Sequence, residues 1–424
     1  MNNKSGFLSR ALPAFSHRNF RLYWGGQLVS LTGTWMQTVA LGWLILRLSD
    51  SAFYVGLLGT LNFLPILLFS LFAGILADRV DKRRLIIATQ VASLVQSLVL
   101  AGLMTTGHIA VWNVLALATA LGTINAIDAP ARQSFVSEMV SMDHLVNAVA
   151  LNSAIFNGAR TIGPALAGFL IAKVGEEMCF YINAVTFLAV IAGLLLMRES
   201  ELFQSGKHSG GNFMKDLREG FSYVRTEKKA LALLGMLGVM SVFGFPALVL
   251  MPVFARDVLH SGPAGLGWLF AGAGAGSLAG ALRLAVSKKQ GKQGRRVLYS
   301  SALFAVSIMA FSFSEDLRVS MALAALAGFG LISGLALTNS TIQTMAPPHL
   351  RGRVMSIYVF VMLGMMPIGN LMAGSAAHFL GAPRAVLIAG GVCLALLTLI
   401  VSTHPGILRL DVRASTPPLP APPV

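Results

Sequence analysis

Twelve apolar stretches divide the chain, each separated from the next by a short polar turn. They cover approximately residues 20–46, 51–77, 85–104, 109–127, 145–174 and 178–197, then, after a polar interval at 198–229, residues 230–254, 262–285, 297–313, 319–345, 354–380 and 385–403. A helix needs about 20 apolar residues to cross a bilayer, so each stretch predicts one membrane-spanning helix. Lipid forbids unpaired backbone, so the spans are helices and the fold class is an all-α integral membrane protein. The helices fall into two sets of six. Within the polar interval, Phe213, Leu217, Phe221 and Val224 recur at helical spacing opposite Lys215, Asp216, Arg218 and Glu219, which predicts an amphipathic linker helix at the membrane surface.

Charge fixes which way the spans run. The chain carries 32 Lys and Arg against 17 Asp and Glu, a net charge of +15 that would suggest nucleic acid in a soluble protein. Here the cations sit in blocks between spans. Only Arg47, Lys173, Arg256, Arg318 and Arg384 fall in the expected outer loops, and Arg160 falls inside a span, which leaves 26 on the inner side. The positive-inside rule then places both termini and the linker in the cytoplasm of a bacterial cell, with the protein in the inner membrane and no nucleic-acid partner. The expected organisation is an arm at 1–19, a six-helix bundle at 20–197, a linker at 198–229, a second bundle at 230–403 and a proline-rich tail at 404–424. With 55% hydrophobic residues, 12% charged residues and a mean hydropathy of +0.72, a soluble globular fold is excluded. No short apolar core with a cleavage site precedes the first span, so that span is expected to be retained.

The most informative stretch runs from Gly74 to Leu85, with six charges in seven residues between two nearly charge-free spans. Gly74, Leu76, Ala77, Asp78, Arg79, Lys82 and Arg83 resemble the loop signature between the second and third spans of the major facilitator superfamily. Asp81 stands where the general pattern has Gly, as in a bacterial branch that includes the enterobactin exporter. A second stretch, Asp128 to Phe135 with Pro130-Ala131-Arg132-Gln133, resembles the same branch, and Gly163, Pro164 and Gly168 resemble the antiporter signature of exporters. The resemblance implies a two-bundle transporter in which Gly74, Asp78, Arg79, Lys82 and Arg83 gate the inner side. It also implies that Asp78, Asp128 and Arg132 serve proton coupling or the inner gate, and that Gly163, Pro164 and Gly168 bend the fifth span. An internal repeat supports two bundles, with Gly158 and Gly163 matching Gly369 and Gly374 at 211 residues. His144-Leu145 and His349-Leu350 open the fifth and eleventh spans, with six extra residues then intervening in the second half.

Candidate chemistry is sparse. Cys179 and Cys393 lie far apart in apolar runs and read as buried hydrophobes, and no phosphate loop or His-Glu-x-x-His pair occurs. No cofactor or metal is expected, and no enzyme activity. The glycines at 272, 274, 276 and 280 read as a helix-packing face. Arg160 is the one cation well inside a span, at a cost of at least about 2.5 kcal/mol unless it meets a cavity or a partner. Gln27, Gln37, Asn125, Asn152, Asn157, Asn339 and Gln343 are the polar residues expected to line the same central cavity. No Asp or Glu lies deep in any span, so the coupling proton would have to use the end positions Asp78 and Asp128. The reading is a monomeric secondary exporter of small amphipathic solutes, drug-like compounds or a siderophore, working by alternating access with protons. Uptake or flipping of a lipid-like solute is the alternative, and a membrane-embedded sensor or enzyme would need a catalytic cluster or sensory domain that the sequence does not display.

Overall fold

A computed structural model describes residues 12–203, 213–286 and 292–410, with the side chains of 70–79, 213–217 and 285 left aside. The first half contains α1 (Arg18–Ser49), α2 (Ala52–Arg79), α3 (Lys82–Thr105), α4 (Val111–Met139), α5 (Met142–Val174) and α6 (Glu176–Leu195). The linker helix α7 (Phe213–Thr226) follows. The second half contains α8 (Lys228–Val258), α9 (Gly262–Val286), α10 (Gln293–Phe311), α11 (Leu317–Met345), α12 (Arg351–Leu380) and α13 (Ala382–Thr403). Eleven of these are long and apolar enough to span a bilayer. The twelfth spanning helix, α10, is shorter and opens on Gln293, Arg295 and Arg296, yet it packs between α11 and α13 as a full member of its bundle.

The turns explain why the spans stop where they do. Asp81 caps α3 by accepting from the Arg84 amide at 2.7 Å, and Asp316 caps α11 by accepting from Arg318 and Val319 amides at 2.8 and 3.0 Å. The α5–α6 and α12–α13 turns pass through Gly175 and Gly381 at φ 90° and 82°, a backbone region that a side chain disfavours. The face that carries α7 and the start of α1 is here termed the linker face, and the opposite one the far face.

These two glycines are 206 residues apart, and the same spacing recurs in the packing. Gly163 meets Thr32 and Trp35 of α1 as Gly369 meets Val242 and Pro246 of α8, and Gly168 meets Gly267 of α9 as Gly374 meets Gly56 of α2. Gly158 has no neighbour to match that of Gly369. The 211-residue register expected for the fifth and eleventh spans is therefore corrected to 206, and the expected six-residue insertion after His349 is absent. Earlier in each half the 211 spacing does hold, since Gly56 corresponds to Gly267. The change happens inside one helix, because α3 has 24 residues and α10 has 19.

Two further features complete the fold. The linker helix packs by Gly220, Tyr223 and Val224 on α12 and the end of α11, with the Tyr223 hydroxyl donating to the Met345 carbonyl at 3.0 Å, while Phe221 is exposed. Phe213 and Leu217 have side chains outside the described residues. The second feature is irregular helix. α5 carries Pro164 within one continuous helix, whereas π-type turns interrupt α8 at Met240–Gly244 and Phe254–Val258 and α12 at Phe360–Gly364.

Candidate functional site

The two halves meet along two seams, α5 against α9 and α2 against α12. Both are closest toward the far face, where glycines let backbone touch backbone. A methyl built on Gly168 would sit 2.3 Å from the Gly267 Cα, and one on Gly56 would sit 2.6 Å from the Gly374 Cα. Polar clamps join the halves at the same level. Arg256 of α8 binds Asp50 at 2.7 Å and donates to the Leu46 carbonyl at 3.1 Å, Ser51 meets His378 at 3.2 Å, and Thr60 donates to the Pro367 carbonyl at 3.0 Å. Toward the linker face the α5–α9 seam opens. The α5 stripe that meets α9 at Thr161, Ala165 and Gly168 continues into Ala150, Ala154 and Asn157, all exposed, and on α9 Leu278 and Leu282 are exposed. The space between the halves therefore opens on the linker face.

Which side chains face that space follows from the 100° turn per residue. On α5, Phe156 and Gly163 contact Trp35 of α1, while Thr161 and Gly168 contact α9. Ser153, Asn157 and Arg160 fall in the arc between those two contacts. The opposite arc holds Ile162, Leu166 and Phe169, large apolar side chains exposed as lipid contact requires. Arg160 is half-buried and forms no hydrogen bond or ion pair among the described residues. Asn157 spends its amide on the Ser153 carbonyl at 2.8 Å. Asn125 of α4 lies between the positions that face α1 (Arg132) and α2 (Gly122), again toward the central space. Asn152 instead lies on the α5 stripe of Ala159 and Gly163, toward α1. Asn339 and Gln343 sit near the linker end of α11 and bond each other at 2.7 Å.

Gln27 and Gln37 are placed inside the first half. Gln37 donates to Gln96 at 3.0 Å and accepts from Ser97 at 2.6 Å and Asn183 at 2.7 Å, tying α1, α3 and α6 together. Its amide is committed to that network. Gln27 accepts from Arg132, which also pairs with Asp128 on the same helix. Asp128 is 4% exposed and accepts further from Thr89 at 2.5 Å and Gln90 at 3.2 Å, both on α3. This is a buried carboxylate with one guanidinium and two neutral donors, while the Gln27 Nε2 and Gln90 Oε1 atoms have no partner among the described residues. The network was only partly visible in the sequence: Asp128 and Arg132 stood out, whereas Thr89, Gln90, Ser93, Gln96 and Ser97 did not. Their helical spacing along one buried face of a span was the available signal.

At the linker face, Lys82 pairs with Glu138 at 2.5 Å, joining α3 to α4. Arg83 donates to the Leu194 and Leu195 carbonyls at 2.8 and 3.2 Å and pairs with Glu199, so it satisfies the open end of α6. Gly74, Asp78 and Arg79 lie on the last turns of α2, and their side chains are outside the described residues. Beside this surface His17 and His144 approach to 3.0 Å, with Phe203 edge-on to His17. Burial and the neighbouring His144 hold the His17 pKa below its ordinary value.

Comparison with known proteins fits this geometry. Residues 9–424 match the family described as transmembrane secretion effector. The chain belongs to that family. Its relatives include multidrug and macrolide efflux proteins. This secretion effector is 30% identical over 370 residues to the multidrug efflux pump Tap of Mycobacterium tuberculosis, covering 82% of this chain and 84% of that one. It is 25% identical over 373 residues to the staphyloferrin A transporter of Staphylococcus aureus, covering 87% and 92%, and 22% identical over 407 residues to the macrolide efflux protein A of Streptococcus pyogenes, covering 93% and 98%. Its fold is that of a bacterial homologue of the human lysosomal transporter Spinster solved in an inward-facing, unoccupied conformation, with TM-score 0.71, 13% identity and coverage of 94% and 98%. The nucleoside transporter NupG has the same fold, with TM-score 0.67, 13% identity and coverage of 91% and 98%.

Proposed function

We propose that this secretion effector exports small amphipathic solutes, drug-like compounds or a siderophore, from the bacterial cytoplasm across the inner membrane in exchange for protons, as a monomer. The observation that carries the reading is the asymmetry of the α5–α9 seam. Glycine-tight contact on the far face with exposed stripes on the linker face is what an inward-open state of an alternating-access transporter requires. The linker face is then cytoplasmic, as the 26 inner cations favour. Gly74, Asp78, Arg79, Lys82 and Arg83 gate that face when the cavity turns outward. Asp128 takes the coupling proton, with Arg132, Gln27, Thr89 and Gln90 as the groups that must rearrange when the carboxylate becomes neutral. A lone carboxylate held by a cation and two hydroxyl or amide donors switches its partners on protonation, because the neutral acid donates where the anion accepted.

Everted membrane vesicles with an acid interior test this reading against a panel of drug-like dyes and apo-siderophores. At least one compound should accumulate, a protonophore should abolish the accumulation, and Asp128→Asn should abolish it while sparing exchange of labelled for unlabelled compound. Accumulation that ignores both the protonophore and Asp128→Asn refutes proton exchange at Asp128.

A further inference from the structure

Arg160 is the unexplained charge of the cavity. It lies on the polar arc of α5 with Ser153 and Asn157, half-buried, and its five N–H donors meet no acceptor among the described residues. The helices around the central space offer it no carboxylate at its own depth. None occurs within α9, α11 or α12, α2 carries one only in its last turn at the linker face, Asp78, and the one acid well inside α4, Asp128, is already bound to Arg132. Other cations in the spans have found compensation, Arg256 with Asp50 and Asp257, Arg283 over the Phe329 ring, Arg132 with Asp128 and Gln27. A permanently charged, partly desolvated guanidinium with no internal partner attracts an anion into the space that hydrates it.

We propose that Arg160 is the counter-ion site of the cavity, binding a carboxylate, phenolate or similar anionic oxygen of the exported solute. The proposal rests on the export reading for the word "exported", but the anion site itself does not depend on transport. The neutral donors and acceptors beside it, Asn157 and Ser153, add hydrogen bonds without adding charge. Anionic cargo thus finds one fixed charge with the neutral Asn157 and Ser153 on the same arc of α5.

Trp35 supplies a local reporter, because it packs against Phe156 at 5.8 Å between ring centres and against Gly163, one turn to either side of Arg160. The full-length protein in phosphatidylcholine nanodiscs is quenched with iodide, an anion, and with acrylamide, a neutral molecule, at constant ionic strength, with Trp35→Phe subtracted to isolate Trp35. A unit charge about 6 Å away raises local anion concentration about threefold even at the dielectric of water. The iodide-to-acrylamide quenching ratio should therefore fall by about that factor in Arg160→Gln and be kept in Arg160→Lys. Salicylate should protect Trp35 from iodide in the wild type and not in Arg160→Gln, whereas its neutral amide salicylamide should protect in neither. An unchanged ratio in Arg160→Gln, with acrylamide quenching also unchanged, overturns the site. Equal protection by salicylate and salicylamide overturns recognition of charge. If wild type and Arg160→Gln give the same ratio in phosphatidylglycerol while differing in phosphatidylcholine, a lipid headgroup occupies the site and the cargo assignment is overturned. Failure of the vesicle assay alone, with these optical results as expected, removes the export reading and leaves the anion site standing.

Discussion

Gly168→Ala should push the transporter toward its outward-open state. The added methyl would stand 2.3 Å from the Gly267 Cα, 2.5 Å from its nitrogen and 2.7 Å from the Pro263 carbonyl oxygen, all backbone atoms with no rotamer to yield. Carbon pairs settle at about 3.5–4.0 Å, so α5 and α9 would have to separate by more than an ångström. Overpacking of this kind costs about 1–3 kcal/mol. The cost falls only on the state in which the far-face seam is closed, so the inward-to-outward ratio should change by about 5- to 150-fold, at about tenfold per 1.4 kcal/mol. Gly158→Ala is the internal control: it lies on the same helix with nothing within 4 Å, so the change should leave the equilibrium alone. Spin labels at Trp112 and Phe379, exposed on the far face of the first and second halves, report the separation by pulsed dipolar spectroscopy. A longer-distance population should grow in Gly168→Ala and not in Gly158→Ala. Identical distance distributions in Gly168→Ala and wild type, or the same shift in Gly158→Ala, would refute the seam as the element that sets the equilibrium.

Arg256→Ala removes both bonds that this side chain makes across the two halves, and because Asp50 is largely exposed the pair is worth at most about 1 kcal/mol, so the same spin-label distance should shift by up to about fivefold in population and less at high salt. Arg83→Ala strips the Leu194 and Leu195 carbonyls of their donor, which should cost about 1–3 kcal/mol and lower the thermal unfolding midpoint. His17 is held below its ordinary 6.5 by burial and by His144, so the folded arm favours the neutral ring. Its contribution is therefore complete above pH 6.5 and fades as pH falls below it, and proteolysis of the arm should rise on acidification in wild type but show no such step in His17→Gln.

The spans were legible because a bilayer allows few solutions: some 20 apolar residues, then a charged turn. The same logic missed the true register of the repeat. A five-residue deficit inside α10 changes the spacing without breaking the apolar run, and only the packing partners of Gly163, Gly168, Gly369 and Gly374 reveal it. Site residues were legible by type and not by direction. Gln37 and Asn157 are both polar residues in apolar spans, yet one is locked among α1, α3 and α6 and the other lines the central arc, a difference set by helix rotation. Asn152 and Asn157 stand on one helix but 500° of turn apart, which puts them on different sides of it. The π-type turns of α8 and α12 also had no counterpart in the apolar pattern, since inserting one residue in a helix changes its phase and not its composition.

The repeat also shows where the two halves have parted in chemistry. The α1 and α8 starts, Arg18 and Lys228, are 210 residues apart, so Gln27 corresponds to Leu237. With the 206 spacing Asp128 and Arg132 correspond to Gly334 and Thr338, and with the 211 spacing Gln90 corresponds to Ser301. These four second-half residues are not scattered. They line one small void together with Met236, Met240, Phe245, Leu331 and Leu335. The place that holds a buried ion pair in the first half is thus an underfilled apolar pocket in the second, bordered by the π-type turn at Met240–Gly244. An ion pair with its surrounding donors fixes the relative height of α1, α3 and α4, because each bond is lost if one helix slides. Leu, Gly and Thr around a void impose no such register, and a π-type turn can shift along a helix. The first half is therefore built as the stiffer body, and the second as the one whose helices reshape. Filling the void with Gly334→Ala should test the division, slowing the inward–outward exchange rate measured with the Trp112 and Phe379 labels while leaving Asp128-dependent proton coupling per transported solute unchanged. Loss of coupling in that variant would place the titrating machinery in both halves.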